Sequence, residues 1–216
     1  MSHLKRQAIP KSWPVPRKGT AYLVKPSFGK TEGIPLLVVI RDMLKIAKTR
    51  KELKTALNNK LILVNTKEVK DEKYSMLLFD TLTLVSSKKN YRLTLNSTGK
   101  FSIEEIKENE STKKVAKVVN KVVLKGKRTQ LNLSDGRNFI SDMKCGTNDS
   151  VLIDLKNKKV EKCVPLKEKT KVIVFKGKHA GERGTIEKID SEKNMVTISE
   201  GEKSISVLIK QVMATE

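Results

Sequence analysis

The sequence predicts an α+β protein that is mostly β, and three features predict it. Apolar residues repeat with helical period in one region only, between Ile34 and Leu57. Beyond Ser86 the chain breaks into short alternating or β-branched runs separated by turn residues, with no helical pattern between them. The opening 34 residues hold four of the six prolines, with Pro35 next, and no acidic side chain before Glu32, so they are expected to extend over a surface rather than build a core. A chain of 216 residues is long enough for two or three modules of modest core.

Residues 1–34 therefore read as a basic, Pro-rich N-terminal extension, with Trp13, Tyr22 and Phe28 as apolar anchors. Residues 35–98 read as a small helical and β module. Leu36, Ile40, Met43, Leu44 and Ala47 fall at i, i+4, i+7, i+8 and i+11, one face of a helix, and Pro35 suits its first position. Arg41, Lys45 and Lys48 recur at i, i+4 and i+7, which predicts a basic stripe off that face. Thr49 followed by Glu52 is a capping box that opens a second helix. Leu53, Ala56 and Leu57 form its apolar side, and Arg50, Lys51 and Lys54 extend the basic surface. Residues 61–64, a turn at Asn65-Thr66-Lys67 and Val69 read as strands joined by a tight turn.

Residues 99–168 read as a central antiparallel β domain of barrel type. Runs at 91–95, 101–103, 115–124, 129–133 and 151–155 carry the strand pattern, with turns at Asp135-Gly136 and Asn157-Lys158. The acidic run Glu104, Glu105, Glu108 and Glu110 is expected on a solvated helix or loop turned away from any polyanion. Residues 169–216 form the last segment. There a strand at 171–175 leads into Lys176-Gly-Lys-His-Ala-Gly-Glu-Arg-Gly184, and Thr185-Ile186 opens another. Gly177, Gly181 and Gly184 permit positive φ and close backbone approach, while Lys176, Lys178, His179 and Arg183 project from the loop. Such a loop can lay amides and cations against phosphate.

Charge narrows the function. Lys and Arg number 45 against 24 Asp and Glu, a net charge of +21, and 14 of the basic residues fall in the first 60 positions against 3 acids. An excess of this size fits a polyanionic partner, since it releases counterions from phosphate. The longest apolar stretch, residues 34–40, is far short of the roughly 18 residues needed to span a bilayer. No apolar segment follows Lys5 and Arg6, so no secretory signal is expected. Cys145 and Cys163 are too few for a disulfide framework or a four-thiolate zinc site, and reduced thiols are expected.

Catalytic patterns are missing. His3 and His179 sit near no cysteine pair, so neither a metal nor another cofactor is expected. Gly126-Lys-Arg-Thr129 resembles half of a phosphate loop, but Lys121 and Arg128 stand where it needs Gly and Ser or Thr. Asp80 and Asp135 read as turn carboxylates. The nine aromatic residues are scattered singly, so backbone and shape recognition are expected, with little base stacking.

Several collinear stretches resemble one family, the archaeal and eukaryotic ribosomal small-subunit protein called S-four-e. His3-Leu-Lys-Arg6 with Pro10-Lys11 and Trp13 is similar to its N-terminal signature. Ile34-Pro-Leu36 through Arg41 and Leu44, then Val64-Asn65 and Asp80, resembles its RNA-binding module of the bacterial S-four type. Val119-Asn-Lys121, Gln130-Leu-Asn-Leu133 and Asp135-Gly-Arg-Asn138 resemble its central domain. Residues 177–184 resemble its KOW motif, which the family carries on a C-terminal SH3-like barrel. The chain departs at Ser27-Phe28-Gly29, where the family commonly has Ser-Pro-Gly, and in its ending at 207–212, where the usual aromatic residues are reduced.

The resemblance implies a structural constituent of the small ribosomal subunit, cytoplasmic and not an enzyme. Its expected partners are 16S-type rRNA and neighbouring small-subunit proteins, with no membrane and no homo-oligomer. The expected RNA contacts are Lys5, Arg6, Lys11, Arg17 and Lys18 on the arm, and Arg41, Lys45, Lys48, Arg50, Lys51 and Lys54 on the helical module. Lys176, Lys178, His179 and Arg183 would supply the loop contact, with Gly177, Gly181 and Gly184 as backbone-approach glycines. An rRNA-modifying enzyme with an S-four-type module would need a further α/β domain, and a KOW-type transcription factor would not need the basic arm.

Overall fold

Nineteen strands and only three short α-helical segments make up the described residues, 3–29, 32–126, 128–141, 143–190, 192–200 and 203–215 of a computed structural model. The mostly β character expected from the sequence is what the chain adopts. Lys127, in the incomplete phosphate-loop motif, lies outside the described residues. Contacts divide the chain into two compact units, Met1–Asn96 with Lys100–Thr112, and Ser97–Gly99 with Lys113–Glu216.

In the first unit, β1 (Leu4–Lys5) pairs antiparallel with β2 (Tyr22–Leu23). Ile9 and Trp13 between them are buried, and the Trp13 indole Nε1 donates to the Gly33 carbonyl at 3.0 Å. Phe101 N donates to the Ser12 carbonyl at 2.8 Å. The opening segment was expected to extend as an arm; instead it folds onto the rest of its unit. One large side chain decides this, because burying an indole and satisfying its N–H outweighs the ordering of a Pro-stiffened loop.

β3 (Gly33–Pro35) pairs with β6 (Ser75–Leu77). The chain then forms α1 (Leu36–Val38), which widens into a π turn over Val39–Met43. Leu36 to Ile40 are all buried, so this helix is enclosed rather than amphipathic. Lys45 takes φ +56°, and Ala47 lies beyond the helix that was expected to include it. The basic stripe predicted from Arg41, Lys45 and Lys48 is therefore not a helical stripe. α2 (Arg50–Asn58) opens with the expected capping box: Thr49 Oγ1 accepts from Glu52 N, and the Glu52 carboxylate accepts from Thr49 N. A backbone bond from Lys48 N, with those from Thr49, holds the Glu52 carboxyl below its usual range.

β4 (Ile62–Val64), β5 (Lys67–Glu68), β7 (Thr81–Leu84), β8 (Lys89–Leu95) and β9 (Phe101–Ile106) form an antiparallel sheet in the order β5-β4-β7-β8-β9. Asn65 and Thr66 both take positive φ in the tight β4–β5 turn. Asn65 Nδ2 donates to Asp80 Oδ1 at 2.8 Å, and Leu77 N donates to Asp80 Oδ2, so Asp80 is the turn carboxylate expected. Of the acidic run, Glu104 and Glu105 lie on β9, and only Glu108 and Glu110 lie on the single-turn helix α3 (Glu108–Ser111).

The second unit carries two five-stranded antiparallel sheets. β10 (Lys113–Val123) bulges at Val119, pairing β13 (Ser150–Asp154) with its first half and β11 (Thr129–Leu133) with its second. β12 (Asn138–Ser141) and β14 (Lys159–Val164) complete the order β12-β11-β10-β13-β14. Ala116, Val118, Leu131, Leu133, Val151 and Ile153 fill its core. Cys145 and Cys163 are free thiols against this core; burial, then Cys145 and Asp149, push the Cys163 thiol up to about 12. Asp135 accepts from Arg137 N in the β11–β12 turn, as expected, and is also buried against Lys114 Nζ at 2.9 Å.

β15 (Lys171–Val174), β16 (Arg183–Asp190), β17 (Met195–Glu200) and β18 (Lys203–Leu208) run as a meander. After a 3₁₀ turn at Ile209–Gln211, β19 (Val212–Ala214) returns to pair with β15. Val172, Val174, Ile186, Val196, Ile198 and Val212 are its core. Lys117 of β10 is buried and reaches the Ile209 carbonyl and, at 2.7 Å, that of Val212. No described helix is long and apolar enough to cross a membrane. Among the described residues no group of three or more His, Cys, Asp and Glu could hold a metal ion.

Candidate nucleic-acid interface

The N-terminal cations divide into two kinds. Lys5, Lys11, Arg17 and Lys18 are exposed on the loop that Trp13 anchors, with Arg17 Nη2 donating to the Ile9 carbonyl at 3.4 Å. Arg6 is half-buried, and its guanidinium donates to the Pro16 carbonyl at 2.7 Å, the Thr20 carbonyl at 2.9 Å and Thr20 Oγ1 at 2.8 Å. It staples the loop shut, a role invisible in the sequence because its acceptors are backbone atoms 10 and 14 residues away.

The helical module also sorts its cations by partner. Arg41 forks onto Asp42 at 2.9 and 3.0 Å, and that hydrogen bond raises its pKa further. Arg50 and Lys54, one turn apart on α2, converge on Glu72, with Arg50 Nε at 3.0 Å and Lys54 Nζ at 3.9 Å. Burial pushes the Glu72 carboxyl up, but the Arg50 hydrogen bond and both charges bring it below its ordinary value. Lys45, Lys48 and Lys51 stand exposed around the start of α2. The sequence reading missed Asp42 and Glu72 as anchors. Glu72 sits in a charged loop whose burial no periodicity announces.

In the glycine loop, Gly177 and Gly181 take φ +95° and +96°, as expected of them. Gly184 does not; it lies within β16, where an added Cβ would press on the Ser199 carbonyl of β17. Its role is close approach between strands rather than a left-handed turn. Ala180 N, Gly181 N and Glu182 N donate to carbonyls of Gly177, Val174 and His179, so these amides close the loop and are not offered outward. The cations are: Lys178 and Arg183 are exposed, and Lys176 lies 5.6 Å from the Phe175 ring centroid. His179 Nδ1 is 3.1 Å from Glu182 Oε2. The site is thus a set of outward ammonium and guanidinium groups on rigid turns, suited to phosphate contact without sequence readout.

Two further buried lysines, Lys114 and Lys117, were not singled out from the sequence. Lys114 shares its strand face with Ala116 and Val118, and a lysine in that register requires a buried acid, which Asp135 supplies.

The description Ribosomal family S4e matches residues 87–160, and the RS4NT (NUC023) domain matches residues 2–29. Small ribosomal subunit protein eS4 of Methanocella arvoryzae is 34% identical over 98% of this chain and 92% of its own length. The eS4 protein of Nanoarchaeum equitans is 36% identical over 87% of this chain and 82% of its own. The chain belongs to the S4e ribosomal protein family. The crystal structure of 30S ribosomal protein S4e from Thermoplasma acidophilum superposes with a TM-score of 0.73 at 28% identity, covering 86% of this chain and 95% of that one. The S4e match at 87–160 runs from just before β8 into β14, and the RS4NT match covers the loop closed by Arg6 and Trp13.

Proposed function

We propose that this S4e-family chain is a structural, non-catalytic constituent of the small ribosomal subunit that binds small-subunit rRNA through phosphate-backbone and shape recognition. Family membership along nearly the whole chain carries the reading, and the exposed cations on both units support it. Residues 35–98 act as the S-four-like RNA-binding module, with Lys45, Lys48 and Lys51 on the rRNA backbone. Residues 169–216 act as an SH3-like KOW barrel, a reading supported by the four-strand meander, the 3₁₀ turn and the return of β19 to β15. Lys176, Lys178, His179 and Arg183 are its phosphate contacts, and Lys5, Lys11, Arg17 and Lys18 those of the N-terminal segment. Arg6, Arg17, Arg41, Arg50, Lys54 and His179 reach rRNA alongside the partners they already hold. Neighbouring small-subunit proteins complete its surroundings in the cytoplasm.

Co-sedimentation tests the assignment. The protein is expected to remain stoichiometric with the 30S-size particle at moderate salt, and washing off as a substoichiometric fraction would refute it. Replacing Lys178 and Arg183 by Ala is expected to leave the melting temperature unchanged, since exposed charges contribute little to stability. The same change is expected to weaken particle association by about 1 kcal/mol or more per lost contact. Wild-type salt resistance of that variant would remove the loop from the interface.

A further inference from the structure

Beside the exposed lysines of the first unit lies a recess of about 340 Å³. Buried Ile40, Leu53, Ile62 and Leu84 form its floor, and Ile46, 51% exposed, stands at its lip beside Ala56. On one side the lining changes character: Ser86, Ser87, Lys89 and Tyr91 bring three hydroxyls and an ammonium to its edge. Exposed Lys89 lines the recess, and exposed Lys45, Lys48 and Lys88 adjoin its lining residues Ile46, Ala47 and Ser87 along the chain. Two acids are recorded against these lysines: Glu105, 3.8 Å from Lys89 Nζ, and Glu52, whose carboxylate accepts from Lys48 N at 2.8 Å.

We infer that this recess receives one unstacked nucleobase of an unpaired rRNA nucleotide. A base has apolar faces and a polar edge, so it matches a floor of aliphatic side chains bordered by hydroxyls, while the flanking phosphates meet the lysine rim. An apolar side chain from a protein would leave the hydroxyls and the lysines unanswered, and charge complementarity therefore selects the polyanion. An unpaired nucleotide is required because extruding a base from a duplex costs unstacking that a loop or bulge does not. Tyr91, half-buried at the edge, serves this single base, whereas a sheet platform would need several clustered aromatics. The inference rests on the rRNA-binding reading and adds sequence-capable contact to it.

The test uses the full chain, a short single-stranded RNA carrying 4-thiouridine, and a duplex RNA of equal charge. Photo-crosslinking is expected to place the base on residues 84–91. Ala56→Leu, which fills the recess from a helical position that leucine suits, is expected to weaken single-strand binding about tenfold or more while duplex binding holds. Cross-links confined to other residues would overturn the inference, even if the filled variant failed to fold. So would equal losses on both RNAs, or no loss on either. If the filled variant keeps single-strand affinity but drops a protein neighbour from the assembled particle, the recess docks protein instead. Intact duplex binding with an indifferent recess refutes this inference alone, whereas a wild-type chain that binds neither RNA refutes the rRNA reading with it.

Discussion

Gly184→Ala separates close packing from loop flexibility at the glycine loop. A Cβ at this position would lie 2.7 Å from Ile198 Cγ2 and 3.0 Å from the Ser199 carbonyl carbon, and closer still to its oxygen. Ordinary contact begins near 3.4 Å, so at the Ser199 carbonyl oxygen β17 must retreat by about 1 Å. It cannot do so freely, because Thr185 faces Ser199 on one side and Ser204 faces it on the other. Overpacking of this kind costs about 1–3 kcal/mol, and a paired backbone places it at the upper end. Reduced entropy of the unfolded chain returns about 0.4–1 kcal/mol, leaving about 2 kcal/mol of destabilisation. For a unit near 100 residues that lowers the melting temperature by about 8–16 °C. Gly126→Ala is the control: nothing lies within 4 Å, but φ is +81°, so its cost is conformational and about 1 kcal/mol. Thermal unfolding with amide exchange over residues 183–200 reads both variants. A Gly184→Ala protein melting within about 2 °C of wild type, or above Gly126→Ala, would refute the steric account.

Three other outcomes follow from buried groups. Trp13→Ala should cost about 3–5 kcal/mol and strip amide-exchange protection from Arg6 N and Phe101 N; retained protection would mean Trp13 does not anchor the N-terminal segment. Asp135→Ala removes the carboxylate that lies 2.9 Å from the buried Lys114 ammonium and should cost about 3–5 kcal/mol in urea unfolding. Burial raises the Asp135 carboxyl, but Lys114 and the Arg137 bonds lower it further, so its folded value lies below 3.8. Its contribution is therefore present above pH about 3.8 and lost as pH falls through the folded value; an acid limb unchanged in Asp135→Ala would contradict this. Lys117 has the opposite sign: burial lowers it from 10.5 to about 8, with Asp149 opposing. Between these values the unfolded chain binds more protons, so wild-type stability should rise from pH 8 to 10.5, by up to about 3 kcal/mol, relative to Lys117→Met. A flat difference would refute it.

What the sequence by itself determined is whatever depends on neighbours within a few residues. The capping box at Thr49 and Glu52, the turns at Asn65, Asp135 and Asn157, and the cation-bearing glycine loop are local chemistry, and each is legible from residue type and spacing. Family-like stretches in collinear order added the overall identity. Strands β12 and β14 escaped because both are sheet edges: on β12 the apolar Ile140 is exposed, and on β14 Lys159, Glu161 and Lys162 mask the alternation. Tertiary structure alone decided which cations remain outward. Arg6, Arg50 and Lys114 look like Lys5, Lys45 and Lys51 in composition, yet the first three are held by carbonyls or carboxylates. A lysine or arginine advertises its charge in the sequence, but an acceptor 10 to 22 residues distant reaches it only through the fold. The first helix failed for the same reason: its period was legible, but burial on every side and the left-handed Lys45 that ends it belong to the packing around it.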